Sequence, residues 1–228
     1  MTKGTLYGVS VGPGDPSLMT LKAVACIQAC GIVAAPRTSD GRSLALHIAA
    51  QEVDVSGKEI EYLDLLMTRD PERLARTYGA AADCIAAHLD AGRDVAALTL
   101  GDASLYSSFS YLSAILGPRG YEISVIPGVT SFCACAAALG QSLTDMNAPL
   151  HIIPAGAADL EAALALPGGK VVMKSGRSLP LVKQLLHRMG LARRAALVTD
   201  CGLPTQQVCP DIDRADGEGY FTTLLIRP

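Results

Sequence analysis

The chain has 228 residues, half of them apolar and 18% charged, with a net charge of −3. That is enough material for one large domain or two small ones, and the lack of a basic surplus argues against a nucleic-acid binder. No uninterrupted apolar run approaches the roughly 18 residues needed to span a bilayer. The opening MTKGTLYGVSVG enters a strand-like pattern at once and not a signal peptide. The expectation is a soluble, cytoplasmic protein. Seven cysteines at irregular spacing, with no CxxC pair, read as reduced core thiols and not as metal ligands. Cys26 and Cys30 can share a helix face, and Cys133 and Cys135 a strand or turn.

In chain order, TLYGVSV (Thr5 to Val11) reads as a strand closed by the turn GPGDP. Asp15 stands at an N-cap position and Pro16 at the first helical one, so a helix is predicted from there, with Leu18, Leu21, Val24 and Ile27 on one side. GIVAAP is a short buried strand, SLALHIAAQ a short helix and EIEYLDL an alternating strand. DPERLARTYGAAADCIAAHLDAG is a long helix that starts at a proline and stops at Gly92. DVAALTL is a continuous apolar strand, as a parallel sheet buried on both faces requires. SAILGPRG ends a helix, and YEISVIPG is a further strand. The first half therefore reads as an open, largely parallel α/β sheet. In the second half PLHIIPAG, GKVVMKSG, RAALVTDCG, TQQVCP and YFTTLLIRP are strand candidates, with helices near 159–166 and 179–189. The last strands lie so close together that antiparallel pairing is predicted. The reading is two α/β domains, 1–127 and 128–228, the second with a mixed sheet.

Three glycine turns follow strand ends. In VGPGDPS the third glycine of a dinucleotide fingerprint is missing, since Ser17 stands there, and no Gly-Lys-Ser/Thr marks a P-loop. A tight strand-to-helix turn with a good cap explains Gly14, Asp15 and Pro16 as well as a ligand site does. In GDASLYSSFSYL, Gly101 leaves room for a ligand to approach the backbone. Asp102 either binds such a ligand or caps the next helix. IPGVTSF places another glycine and two hydroxyls at a strand end.

Together GVSVGPGDP, GDASLYSSFSYL, IPGVTSFCACAAAL and YFTTLLIRP resemble the tetrapyrrole methylases, which use S-adenosylmethionine. The resemblance spans almost the whole chain. It implies two α/β domains with the methyl donor in a cleft between them, usually in a homodimer, and no protein-bound metal. Within the family, SLYSSFSYL is similar to members that methylate precorrin-2, or its cobalt complex, cobalt-factor II, at C(20) in cobalamin synthesis. By position, the resemblance assigns donor binding to Pro13, Leu100, Gly101, Asp102, Leu105, Thr130, Ser131, Met173 and Gly202. On residue pattern alone Met173 is a core residue of a strand. Tyr106 and Tyr111 either stack on the macrocycle or face the core. The substrate's carboxylates call for cations, and Arg37, Lys174 and Arg177 follow strand ends. No catalytic base is identified, and a module that binds these ligands without turnover is the alternative of a different class. Two departures from the family pattern stand out: Ala103 replaces the usual proline of Gly-Asp-Pro, and Ser10 stands where glycine is common.

Overall fold

The strand and helix alternation of the first half builds a single parallel sheet. In the computed structural model, which describes residues 2–228 apart from 67, 69, 217, 218 and 220, its strands are β1 (Thr5–Ser10), β2 (Ile32–Pro36), β3 (Glu59–Leu63), β4 (Val95–Thr99) and β5 (Glu122–Ile126). They pair in the order β3-β2-β4-β1-β5, every pair parallel. The intervening helices are α1 (Leu21–Ala29), α2 (Leu44–Glu52), α3 (Pro71–Asp90) and α4 (Phe109–Leu116). Successive strand residues point to opposite faces, and on β4 both faces are covered. Val95 and Ala97 join a core with Ile85 and Leu89 of α3 and Leu116 of α4. Ala96 and Leu98 join one with Ile27 of α1 and Ile48 of α2. This double burial is why DVAALTL carries no charge after its first residue.

Caps behave as predicted at α3: Asp70 accepts hydrogen bonds from the N–H groups of Glu72 and Arg73, Pro71 opens the helix, and Gly92 follows it with a φ of 74°. The predicted start of α1 is corrected. Asp15 and Pro16 begin only a short 3-10 turn over Pro16–Leu18, and the helix itself starts at Leu21, capped by Thr20. Its buried face is then Ala23 and Ile27, four residues apart, while Leu21 is 89% exposed. The early cap satisfied the local pattern but met no core against which Leu21 could pack.

Met1–Thr130 and Ser131–Pro228 form two compact units. The second opens with α5 (Ser131–Leu139), which places Cys133 and Cys135 on a helix and not on a strand or turn. Cys135 is buried and Cys133 exposed, as two positions on opposite sides of a helix would be. Then come β6 (Leu150–Pro154), α6 (Leu160–Ala165), β7 (Gly169–Met173), α7 (Leu179–Arg188), β8 (Ala195–Thr199), β9 (Gln207–Cys209) and β10 (Thr222–Ile226). The sheet order is β6-β7-β10-β8-β9; β6 and β7 are parallel, and the other pairs antiparallel. The antiparallel pairing read from the crowded last strands is what forms. Tyr220, the first residue of the predicted strand YFTTLLIRP, lies outside the described residues.

Candidate functional site

Strands β4, β1 and β5 are neighbours, so the three glycine turns of the first unit leave one sheet edge side by side. This C-terminal edge is where open α/β sheets bind ligands. The turns are tied together by backbone bonds: Gly101 N–H donates to the Gly12 carbonyl at 2.7 Å, and Val11 N–H to the Thr99 carbonyl at 2.9 Å. Gly101 has a φ of 68°, a conformation that side chains with a β-carbon adopt at a cost.

One residue that sequence reasoning did not assign to the site holds all three turns. Ser10 is fully buried. Its Oγ donates to the Ile126 carbonyl at 2.7 Å and accepts the Ala103 N–H at 2.9 Å, joining the end of β1 to the end of β5 and to the turn after β4. Its signal in the sequence was a lone hydroxyl in an otherwise apolar strand end. Gly128 packs directly on this hydroxyl-bearing residue. A β-carbon there would lie 2.4 Å from Ser10 Cβ and 2.6 Å from the Gly101 carbonyl oxygen, well inside contact distance.

Asp102 adds a second clamp. Its Oδ2 accepts the Gly128 N–H at 2.8 Å, and its Oδ1 accepts the N–H of Ser104 at 2.8 Å and the Ser104 hydroxyl. Burial would raise its pKa, but the hydrogen bonds from Gly128 and Ser104 together outweigh burial and hold the carboxyl below its ordinary value. Both oxygens thus already accept from the protein, so Asp102 is a turn-to-turn tie and not the cap of the next helix, α4, whose N-cap position is Ser108.

Pro13, Leu100 and Leu105 are half-buried in these same turns. Thr130 differs from its neighbours: its Oγ1 is buried without a hydrogen-bond partner. A buried hydroxyl left so costs about 1–3 kcal/mol, and it lies two residues beyond Gly128 at the ligand-binding edge. A polar group on a bound molecule would satisfy it. The residues of the edge therefore fit a small ligand that carries hydrogen-bonding groups.

Tyr106 has a φ of 47°, a left-handed backbone at a bulky residue, and its side chain is 43% exposed. Such outliers persist where the surrounding structure enforces them, often at functional sites. Tyr111 instead engages α3, its ring centroid 4.8 Å from that of buried Tyr78. Arg37 stands at the end of β2 with its fork already occupied: Nε and Nη2 reach the two oxygens of Asp64 at 2.7 Å each. The Asp64 hydrogen bonds raise the arginine's pKa further and lower that of Asp64.

In the second unit β7 and β8 both run antiparallel to β10, so their C-terminal ends share one edge. Ser175 N–H, just past β7, donates to the Thr222 carbonyl, and Asp200 N–H, just past β8, to the Phe221 carbonyl. Met173 ends β7 and is half-buried; Gly202 follows β8, its N–H bonded to Gln206 Oε1 at 2.7 Å. Lys174 (φ 58°) and Asp200 (φ 51°) are left-handed like Tyr106, each directly after its strand. Lys174 and Arg177 are exposed. Ser131 begins α5. The structure thus brings together Pro13, Leu100, Gly101, Asp102, Leu105 and Thr130 at one sheet edge, and Met173, Lys174 and Gly202 at the other unit's edge. Among the described residues no group of three or more His, Cys, Asp or Glu side chains is placed to hold a metal ion, and no helix is long and apolar enough to cross a membrane.

Comparison with known proteins agrees with this architecture. The family model of tetrapyrrole (corrin/porphyrin) methylases matches residues 5–212. The cobalamin biosynthesis protein CobIJ of Mycobacterium tuberculosis is 35% identical over 99% of this chain and 46% of its own length, so the chain spans about half of that relative. Precorrin-2 C(20)-methyltransferase of a Sinorhizobium species is 31% identical over 99% of this chain and 95% of its own. Cobalt-precorrin-2 C(20)-methyltransferase of Salmonella typhimurium is 32% identical over 98% and 96%. Among solved structures, cobalt precorrin-4 methyltransferase CbiF shares the fold with a TM-score of 0.79 at 19% identity, over 98% of this chain and 94% of that one. Uroporphyrin-III C-methyltransferase from Thermus thermophilus, complexed with S-adenosyl homocysteine, does so with a TM-score of 0.71 at 22% identity, over 97% of each. With a family match that runs from the first strand into the last third of the second unit, the chain belongs to the tetrapyrrole (corrin/porphyrin) methylases.

Proposed function

We propose that this chain transfers a methyl group from S-adenosylmethionine to C(20) of precorrin-2, giving precorrin-3A in cobalamin biosynthesis. The observation that carries the reading is the near full-length match to a relative of that name, over 99% of this chain and 95% of the other. The partnerless Thr130 hydroxyl and the tied glycine turns support a donor site at the sheet edge. S-adenosylmethionine, when bound, supplies an electrophilic methyl on its sulfonium. The protein's part is to hold donor and acceptor in line, and such positioning is worth up to roughly 7–11 kcal/mol in favourable cases. Leu100, Gly101 and Leu105 would contact the donor from the second turn, Thr130 and Ser131 from the third, Pro13 from the first, and Met173 and Gly202 from the second unit. Ser10 and Asp102 would keep the turns fixed. Tyr106 would face the tetrapyrrole, with Arg37, Lys174 and Arg177 meeting its carboxylates. The proposed setting is the cytoplasm and the proposed assembly a homodimer, as the family resemblance implies.

The Salmonella relative's name favours a second form of the same reaction, on the cobalt complex. Turnover with radiolabelled S-adenosylmethionine, run in parallel on precorrin-2 and its cobalt complex, tests both. A kcat/KM at least tenfold higher for precorrin-2 is expected. The reverse ratio assigns the cobalt complex, and binding without transfer to either contradicts an enzyme.

A further inference from the structure

At the edge of the first sheet that carries the glycine turns, Arg37 is held more firmly than a solvated cation needs to be. All five strands run parallel, so β2 and β3 end on the same edge as β4, β1 and β5. Ala34 of β2 pairs with Ala97 of β4, so Arg37 and Leu100 each leave the sheet three residues beyond that pair. Arg37 thus stands beside the donor turn. Pro36 pairs with Leu63, and the Arg37 N–H donates to the Leu63 carbonyl at 3.0 Å. That bond carries the ladder one residue past the strands and sets Arg37 opposite Asp64. Tyr62 lies on the same side of β3 as Asp64. Its ring centroid is 5.7 Å from the guanidinium carbon, within cation–π range.

The way it is held decides what it can still bind. A guanidinium has five N–H donors in one plane, and Asp64 takes two of them, on Nε and Nη2. Asp64 therefore occupies one side of the fork. The other three donors, two on Nη1 and one on Nη2, form an end face that fits a second carboxylate through two parallel hydrogen bonds. Among the described residues nothing accepts from Nη1. Asp40, the acid of the following loop, is engaged by the Thr38 hydroxyl and by Arg42. Fixing a flexible arginine before the ligand arrives removes an ordering cost from binding. The Asp64 charge, by contrast, repels an incoming anion. The two effects have opposite signs, which makes the role of Asp64 measurable.

We infer that Asp64 is a positioning residue, which holds Arg37 from the side so that the free Nη1–Nη2 end grips one carboxylate of the tetrapyrrole. The inference rests on the methyl-transfer reading and adds to it which face of Arg37 is used and what aims it. Steady-state turnover of precorrin-2 by the natural protein, Asp64→Ala, Asp64→Glu, Arg37→Ala and the double variant Arg37→Ala/Asp64→Ala tests it. Asp64→Ala should raise the KM for precorrin-2 roughly fivefold, with kcat and the KM for S-adenosylmethionine within about twofold. Asp64→Glu keeps two acceptor oxygens and should bring the KM back to within about twofold of the natural value. Once Arg37 is alanine, Asp64→Ala should change the KM by less than about twofold, because the group through which it acts is gone. The Asp64 side chain is exposed, so melting temperatures should stay within a few degrees. A KM that falls in Asp64→Ala means that Asp64 competes with the substrate for Arg37, and overturns the inference. An unchanged KM overturns it too, as does a fivefold effect that persists without Arg37. These comparisons presuppose turnover by the natural protein; its absence there overturns the methyl-transfer reading itself, and this inference with it.

Discussion

Ser10 Oγ receives the Ala103 N–H at 2.9 Å, and it is at these two positions that the sequence reading expects departures from the family resemblance. A proline at 103 has no N–H to give, and a glycine at 10 has no hydroxyl to receive it. Each departure supplies one half of a single buried bond. The looser turn expected from losing the proline is thus retied through a side chain.

Double-mutant analysis measures that bond. Ser10→Gly should destabilise by about 2–3 kcal/mol, because it strands the Ile126 carbonyl and the Ala103 N–H. Adding Ala103→Pro to that variant should cost about 1 kcal/mol less than adding it to the natural chain. Urea unfolding of the four proteins gives the coupling, and strict additivity contradicts the pairing.

Gly101→Val should weaken S-adenosylhomocysteine binding by well over tenfold, through both its bulk and the positive φ of 68°. Gly101→Asn tolerates that φ better and separates the two effects. It should keep the melting temperature within a few degrees while still weakening binding. Calorimetry showing natural affinity in both variants would remove the second turn from the donor site.

Asp102 links stability to pH. Its folded pKa is lowered, so its stabilising contribution is complete above the ordinary carboxylate value of about 3.9 and disappears as pH falls through the lower folded value. The stability gap between the natural protein and Asp102→Asn should therefore be widest near pH 6 and shrink towards pH 3. A gap constant across that range in thermal melts would contradict the clamp.

The hydroxyl-rich stretch from Gly101 to Leu112 shows how far residues alone carry the reading. Its place at a strand end, and so at the ligand edge, followed from the apolar run before it. The alternation of strand and helix signals likewise points to the parallel sheet. Ser10 was missed because a buried serine in a strand has no periodic signature; its role appears only when β5 and the β4 turn close around it. The sequence lets Cys133 and Cys135 of α5 share a strand or turn, since the small residues of SFCACAAAL carry no clear helical stripe. At Arg37 the sequence showed the cation but not Asp64, 27 positions away, that holds it.

That pairing shapes the prediction for Arg37. Replacement by alanine should raise the KM for precorrin-2 roughly tenfold, about the 1.4 kcal/mol of a modest charged hydrogen bond, and leave donor affinity alone. An unchanged KM would reduce Arg37 to the partner of Asp64 at the end of β3.

Thiol chemistry checks the helix at 131–139. Cys133 is exposed, whereas the Cys135 thiol is buried and pushed up by its hydrogen bond with Cys201 and by burial. Mild alkylation at pH 8 should modify Cys133 at least a hundredfold faster than Cys135. Denatured protein should titrate all seven thiols, with no equivalent of zinc or iron on metal analysis. Equal rates at the two positions, or a full equivalent of metal, would contradict this reading.

The most direct test of the account is the position of the transferred carbon. Turnover of precorrin-2 with S-adenosylmethionine labelled with carbon-13 in its methyl group, followed by NMR of the product, reads it in one spectrum. The account predicts a single labelled methyl at C(20). Label at any other ring carbon, or no label in the tetrapyrrole at all, would contradict it.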